Sequence, residues 1–143
     1  DESGFFEAKW FHATPHDFTP FDLGNVKIGF LICTELMFNE WARHYGRRGC
    51  HIIAVPRATE KASVERWLIA LRMAAIVSGA FVISSNHVGL GPSGVNFGGA
   101  GAIISPEGEV LGVTSFEEPF ITVEVNLQEA EAAKKKYPRY VRE

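Results

Sequence analysis

Cys33 lies at the end of an apolar run of strand-forming residues and is the first candidate for chemistry in this sequence. In open α/β sheets, functional groups gather where strands end and helices begin. The residues after Cys33 have helical spacing, so the unpaired N–H groups of the first turn would favour a thiolate over a thiol. The same N–H groups could donate to an oxyanion on a substrate carbonyl. A buried cysteine with a structural role explains the position as well, and the position alone leaves both interpretations open.

Three further polar residues lie near predicted strand ends. Arg57 follows the apolar run CHIIAVP and has the same topological position as the cysteine, so we consider it a candidate for binding an acidic group on a substrate. Asn86 ends the run AFVISSN and could either cap a turn or line a site. Glu35 falls in the first helical turn, where the helix dipole favours an acid for structural reasons alone. It is kept as a candidate substrate contact.

The strands and helices that would position these residues follow from hydrophobic periodicity. Short apolar or alternating runs predict strands at 18–22, 26–32, 50–56, 80–86, 102–105, 110–115 and 121–125. Helical spacing predicts helices at 35–48, 62–78 and 127–136. The glycine-rich stretch GLGPSGVNFGGAG is predicted to be a loop, and it lacks the spacing and the lysine of a phosphate-binding loop. This order indicates an α/β fold with a mixed sheet. Because these helices can cover only one face, a second layer is expected from elsewhere.

Length and composition are those of a globular domain, with 143 residues, 46% of them hydrophobic and 22% charged. The formal net charge of −3 argues against nucleic-acid binding, and a solvated helix end explains the basic run 134–136. No apolar run is long enough to span a membrane. Cys33 and Cys50 do not make a disulfide scaffold, so we expect a reducing, cytoplasmic setting. Neither these cysteines nor the five histidines show zinc-site spacing, so no metal is expected.

The stretch VKIGFLICTELMFNEWAR resembles the nucleophile segment of the carbon–nitrogen hydrolase (nitrilase) superfamily, in which a strand ending in cysteine precedes an acid and a Pro-Glu-x-x-Arg sequence. The matching residues are Gly29, Ile32, Cys33, Glu35, Glu40 and Arg43. Asn39 stands where the family usually has proline, and Thr34 where an aromatic residue is frequent. The stretches ISSNHVG and FGGAGAIISPEGEVLG are similar to two later family motifs in the same order, with His87 in place of an arginine.

The resemblance implies a catalytic cysteine, glutamate and lysine. In the family, the cysteine attacks an amide or nitrile carbon, the glutamate moves the protons, and the lysine stabilises the oxyanion. Cys33 corresponds to the nucleophile. Glu7 corresponds to a second, supporting glutamate and is the other predicted catalytic residue, whereas Lys9 is expected to point into solvent. Because no residue of this chain matches the base glutamate or the lysine, we expect residues 1–143 to be a partial domain. Its upstream half would be missing, and it would be inactive alone.

The family fold is a four-layer α-β-β-α sandwich, and this chain is expected to form its C-terminal half. Family members assemble through their helical face, so the resemblance implies a homo-oligomer. The tail containing Tyr137 and Tyr140 would reach across the interface. The implied partners are a small-molecule amide and the upstream half of the same fold, with no nucleic acid and no membrane. The mechanism requires neither a metal nor an organic cofactor.

Two classes of function follow. The first is a thiol-dependent hydrolase that cleaves a non-peptide C–N bond in a small amide or N-carbamoyl compound and releases ammonia or an amine. The stretch ESGFFEAKWF resembles the amidase and carbamoyl branches more than true nitrilases. The alternative is a non-catalytic binding or partner module that keeps the fold without the base and the lysine.

Overall fold

The computed structural model describes Thr14, His16 and residues 18–92 and 94–142. Within them, six strands form one mixed sheet in the order β1-β2-β3-β4-β7-β8. The strands are β1 (Phe21–Asp22), β2 (Lys27–Phe30), β3 (Ile52–Arg57), β4 (Phe81–Asn86), β7 (Ala102–Ile104) and β8 (Val110–Val113). The central strands β2, β3 and β4 are parallel, and the outer pairs are antiparallel. The predicted α/β class with a mixed sheet is therefore confirmed.

Three α-helices accompany the sheet, α1 (Asn39–Arg47), α2 (Val64–Ser78) and α3 (Leu127–Lys134). Helix α2 ends at Gly79, whose φ of +64° is the left-handed conformation that glycine adopts at helix ends. Helix α3 begins after Asn126, whose side-chain oxygen accepts a hydrogen bond from the N–H of Gln128. None of the described helices is long and apolar enough to cross a membrane.

The hydrophobic core lies between one face of the sheet and helices α1 and α2. The fully buried side chains include Leu31, Ile53, Val55, Val82 and Ile104 from the sheet and Leu36, Tyr45, Leu71, Ala74 and Ala75 from the helical layer. The ring of Tyr45 packs on the backbone of Gly29, where an added Cβ would lie only 2.7 Å from the ring. The Tyr45 hydroxyl donates to the carbonyl of Phe30 at 3.0 Å. Helix α1 is thereby fixed against β2, the strand that leads to Cys33.

The opposite face of the sheet is apolar and exposed. Phe30, Ala54 and Ile83 lie in one row across the three parallel strands. The side chains of Phe30 and Ile83 are 43% and 38% exposed, and Ile32 is more exposed still. Large apolar side chains in contact with water are unfavourable at roughly 25 cal/mol per Å². That a second layer from elsewhere covers this face stays a prediction.

Four details of the predicted elements were wrong or incomplete. The helix predicted at 35–48 is a 3₁₀ turn (Cys33–Met37) followed by α1, because Phe38 has an extended ψ of 88°. The glycine-rich stretch contains a hairpin of β5 (Val88–Leu90) and β6 (Asn96–Gly98). Residues 121–125 form no strand, although their burial alternates, because Ile121 packs against Gly112 of β8 without ladder hydrogen bonds. In the basic run, Lys134 is half-buried and donates to two backbone carbonyls instead of being solvated.

The C-terminal tail, residues 137–142, folds back onto its own chain. The buried guanidinium of Arg139 donates to the carbonyls of Ile76 and Pro106, each at 2.6 Å. Its charge is paired with Glu107 at 3.2 Å. Burial opposes ionisation of Glu107, but hydrogen bonds from Lys136 and Arg139 outweigh it and lower the pKa of this carboxyl. Tyr137 and Tyr140 remain exposed beside this anchor.

Candidate active site

The nucleophile candidate Cys33 is held in an uncommon backbone conformation at the carboxyl end of β2. Its φ is +48°, in the left-handed region that side-chain-bearing residues rarely adopt. The N–H of Leu31 still bonds to Ala54, so the chain leaves the sheet within two residues and turns at Cys33 into the 3₁₀ turn. The side chain is half-buried. A non-glycine residue persists in this conformation only where its surroundings fix it, which is common at functional sites.

Glu35 fixes this turn. One of its carboxylate oxygens accepts the N–H of Ile32 at 2.7 Å, and its own N–H donates to the carbonyl of Ile32 at 3.1 Å. These two bonds close the backbone on either side of Cys33. The structural explanation for an acid in this turn is therefore present, and substrate contact by Glu35 stays a prediction.

Arg57 is the last residue of β3, the strand beside β2. Phe30 of β2 pairs with Ala54 of β3, so Arg57 and Cys33, which follows the end of β2, lie at the carboxyl ends of neighbouring parallel strands. The guanidinium is only 7% exposed. It donates to Ser84 Oγ at 2.9 Å, to Thr59 Oγ1 at 2.6 Å and to the carbonyl of Ala100 at 2.6 Å. The predicted substrate-binding role is untested, and all three nitrogens of the side chain bond to the protein itself.

Asn86 ends β4 beside Arg57, with which it pairs in the sheet register. Its side-chain oxygen accepts the N–H of Thr59 at 2.8 Å, and its side-chain nitrogen donates to the carbonyl of Gly99 at 2.6 Å. The N–H of Gly98 donates to the carbonyl of Thr59 at 2.9 Å. Asn86 therefore caps the turn after β3 and holds the segment after β6, which is one of the two roles left open by the sequence.

The two thiols have contrasting surroundings. Cys50 is fully buried in the core, and this burial raises the pKa of its thiol to about 11, from an ordinary value of 9.0. Cys33 is accessible and lies near a cation. Burial lowers the pKa of Arg57, and the negative charge of a Cys33 thiolate acts in the opposite direction. The structural role predicted for Cys50 matches its position.

Several residues of this edge had no signal in the sequence. Ser84, Thr59 and Ala100 come from three separate segments and all accept hydrogen bonds from the Arg57 side chain. Ala100 has a positive φ of +57°, which nothing in its neighbours indicates. Glu7 lies outside the described residues, and its predicted role stays a prediction. The described part of the chain contains no cluster of three or more histidine, cysteine, aspartate or glutamate side chains suited to a metal ion.

The fold and this edge define an α/β protein whose polar groups gather at the carboxyl ends of parallel strands. The family model for carbon-nitrogen hydrolase matches residues 1–135. The chain belongs to this family, and the resemblance noted in its sequence is confirmed.

Known relatives match most of this chain. It is 30% identical over 118 residues to the 2-oxoglutaramate amidase of Bacillus subtilis, covering 82% of this chain and 45% of that protein. It is 32% identical over 121 residues to a nitrilase of Pyrococcus abyssi, covering 83% and 44%. The solved carbon-nitrogen hydrolase from Helicobacter pylori superposes with a TM-score of 0.85 at 26% identity, covering 97% of this chain and 53% of that one. This chain thus spans about half the length of the curated relatives it matches.

Proposed function

We propose that this chain is the nucleophile-bearing half of a thiol-dependent hydrolase that cleaves a non-peptide C–N bond in a small amide or N-carbamoyl compound. The observation that carries the proposal is Cys33, held at φ +48° at the end of a central parallel strand in a chain of this family. Its sulfur attacks the carbonyl carbon, the C–N bond breaks, and ammonia or an amine leaves. Water then attacks the resulting thioester and releases the acid.

The chemistry needs a base for the thiol proton and a positive group for the oxyanion. The carboxylate of Glu35 is engaged in closing the turn around Cys33 and is poorly placed to serve as that base. We propose that the base glutamate and the lysine belong to an upstream half of the same fold, packed on the exposed row of Phe30, Ala54 and Ile83. The apolar character of that row and the half-length match to the amidase relative both support this arrangement.

The roles proposed for the three remaining site residues follow from their hydrogen bonds. Arg57 and Asn86 bond to the backbone of Ala100 and Gly99, and Glu35 bonds to the backbone of Ile32 next to Cys33. Their part in substrate binding would be to hold the wall of the site in place. Glu7 is proposed as a supporting carboxylate because the stretch ESGFFEAKWF resembles the family segment that carries one.

Turnover distinguishes this proposal from the non-catalytic alternative. The natural polypeptide containing these residues should release ammonia from a panel of small amides and N-carbamoyl compounds, and Cys33→Ala should abolish the release. Residues 1–143 alone should release none. Ammonia release by residues 1–143 alone, abolished by Cys33→Ala, would contradict the need for an upstream half. A natural polypeptide that binds these amides without turnover would favour the binding module, and turnover of nitriles alone would place it with nitrilases.

We further propose that the assembled protein is a cytoplasmic homo-oligomer that uses its helical face. Ile69 and Met73 lie one turn apart on α2 and are 65% and 43% exposed, which supports an apolar contact there. Light scattering coupled to size exclusion should report an oligomer. The double variant Ile69→Glu/Met73→Glu should shift it to monomer, and an unchanged mass would contradict the use of this face.

A further inference from the structure

The Arg57 side chain is a buried cation whose hydrogen-bond partners among the described residues are all neutral. They are two hydroxyl oxygens and one carbonyl oxygen, from Ser84, Thr59 and Ala100. The ring of Trp67 lies 5.8 Å from the guanidinium carbon. In the described part of the chain, the ion pairs involve other cations, and none places a carboxylate on Arg57. A buried charge without a counter-charge is costly, so its retention at this edge requires an explanation.

The three hydrogen bonds also fix where the charge lies. Each of the three guanidinium nitrogens has an acceptor within 2.9 Å, and the acceptors come from three segments. The guanidinium therefore cannot swing toward solvent as a surface arginine does. Charges that are already in place need no rearrangement when an opposite charge forms beside them.

The group that can carry the opposite charge at this edge is the thiolate of Cys33. Cys33 and Arg57 lie at the carboxyl ends of the adjacent parallel strands β2 and β3, because Phe30 pairs with Ala54 and the N–H of Leu31 still bonds to the carbonyl of Ala54 before the chain turns at Cys33. The negative charge of a Cys33 thiolate is within electrostatic reach of the guanidinium. The other ionisable side chains on the segments that meet at this edge are Glu35, Glu60, Lys61 and His87. Of these, Glu35 is nearest in sequence to Cys33 and would oppose the effect, although its charge is partly satisfied by the N–H of Ile32.

We propose that Arg57 is a positioning residue that supplies a fixed positive charge beside Cys33, so that the site favours negative charge on the sulfur and on molecules that approach it. This inference rests on the proposed function in taking Cys33 as the nucleophile. This role differs from binding a substrate carboxylate. The guanidinium nitrogens of Arg57 already bond to the protein, so they act on the sulfur through their charge and not through direct contact with a substrate. In this family member, the cation comes from within the same half as the cysteine.

The test compares two alkylating reagents of similar size and different charge at pH 7, on the natural polypeptide that contains residues 1–143. Iodoacetamide is neutral and iodoacetate is an anion. In both reactions the Cys33 sulfur forms a bond to carbon and iodide leaves. Peptide mass spectrometry gives the alkylation rate at Cys33 separately from Cys50. The quantity compared among variants is the ratio of the iodoacetate rate to the iodoacetamide rate, which reports the local charge and not the general accessibility of the thiol.

Arg57→Gln removes the charge and should lower this ratio about threefold or more, because a neighbouring unit charge attracts the iodoacetate anion even in a largely aqueous environment. Arg57→Lys keeps the charge and should retain most of the ratio. The matched control is Arg72→Gln, because Arg72 also donates to a backbone carbonyl, that of Gly108, at the opposite edge of the sheet. This control should leave the ratio unchanged.

The proposal is overturned if Arg57→Gln leaves the ratio unchanged, or if Arg57→Lys or Arg72→Gln lowers it as far as Arg57→Gln does. If circular dichroism shows that Arg57→Gln is unfolded, the test is instead the salt dependence of the alkylation ratio in the protein with its native Arg57. Its ratio should fall as sodium chloride increases, more steeply than the ratio for free glutathione, and an equal slope would overturn the proposal. These outcomes are independent of amide turnover. A protein that does not hydrolyse amides can still show the charge-dependent alkylation ratio at Cys33. A protein that does hydrolyse them can fail to show it.

Discussion

Cys33 and Arg57 lie at the carboxyl ends of neighbouring parallel strands, Cys33 in the turn after β2 and Arg57 as the last residue of β3. This relationship links a strained backbone turn to a buried cation held by three hydrogen bonds. The strands that bring them together are fixed by packing on the helical face of the sheet. The relative position of the two residues therefore depends on that packing.

The two thiols should differ sharply in reactivity. Under native conditions, iodoacetamide at neutral pH should label Cys33 and leave Cys50 unlabelled, because Cys50 is fully buried with a pKa of about 11. In urea both should react. Peptide mass spectrometry over time checks this prediction. Equal labelling of both thiols in the folded protein would contradict the described core.

Alkaline pH should destabilise the protein through Cys50. Its pKa is about 11 in the folded state and near 9.0 when unfolded, so the unfolded state loses its proton first. The contribution to stability is therefore fully present below pH 9, falls as the pH rises from 9 to 11, and stays constant above pH 11. The loss at pH 10.5 is on the order of 2 kcal/mol. Burial also raises the pKa of Tyr45, which acts in the same direction.

Urea midpoints at pH 7 and pH 10.5 measure this loss. In Cys50→Ala the difference between the two pH values should shrink, while the cost of the vacated space affects both equally. A variant whose pH difference equals that of the parent protein would show that another group is responsible.

Gly46→Ala should be strongly destabilising. An added Cβ would contact the carbonyl oxygen of Ser78 and lie 2.7 Å from its Cα, and these backbone atoms cannot move without separating α1 from α2. We expect a loss of at least about 2 kcal/mol in chemical denaturation, above the usual range for surface substitutions. Gly49→Ala is the comparison, since its added Cβ meets nothing within 4 Å and its φ of +80° should cost only about 1 to 2 kcal/mol. A Gly46→Ala variant as stable as the parent would contradict the close helix contact.

Substitutions at Asn86 should separate its two hydrogen-bonding functions. Asn86→Asp keeps the oxygen that accepts the N–H of Thr59 but loses the donor to Gly99. Asn86→Ala loses both and should cost about 1 to 3 kcal/mol. Hydrogen exchange at the Thr59 amide should accelerate in Asn86→Ala and remain slow in Asn86→Asp. Equal protection of this amide in both variants would contradict the cap.

The parts of the fold that follow local rules could be predicted from the sequence. The hairpin turn around Gly24, the helix end at Gly79 and the parallel strands all carry period and turn signals. Cys33 could be placed at a strand end for the same reason. Its positive φ could not, because the turn depends on Glu35 bonding back to Ile32. The break at Phe38, which divides the predicted helix at 35–48 into a 3₁₀ turn and α1, carries no signal in the sequence either.

Long-range contacts account for the remaining differences. Residues 121–125 alternate as a strand does, yet they lie against β8 without joining its ladder. Arg57 could be singled out by position, but its partners lie 2, 27 and 43 residues away. Whether it faces a substrate or the protein is decided by that packing, which no local pattern encodes.

The most direct test of the proposed function is mass spectrometry of the natural polypeptide during turnover of a small amide. Rapid quenching should reveal an acyl group on the peptide containing Cys33, formed together with ammonia, and both should disappear in Cys33→Ala. Turnover that persists in Cys33→Ala, or an acyl group on a different residue, would contradict the assignment of Cys33 as the nucleophile.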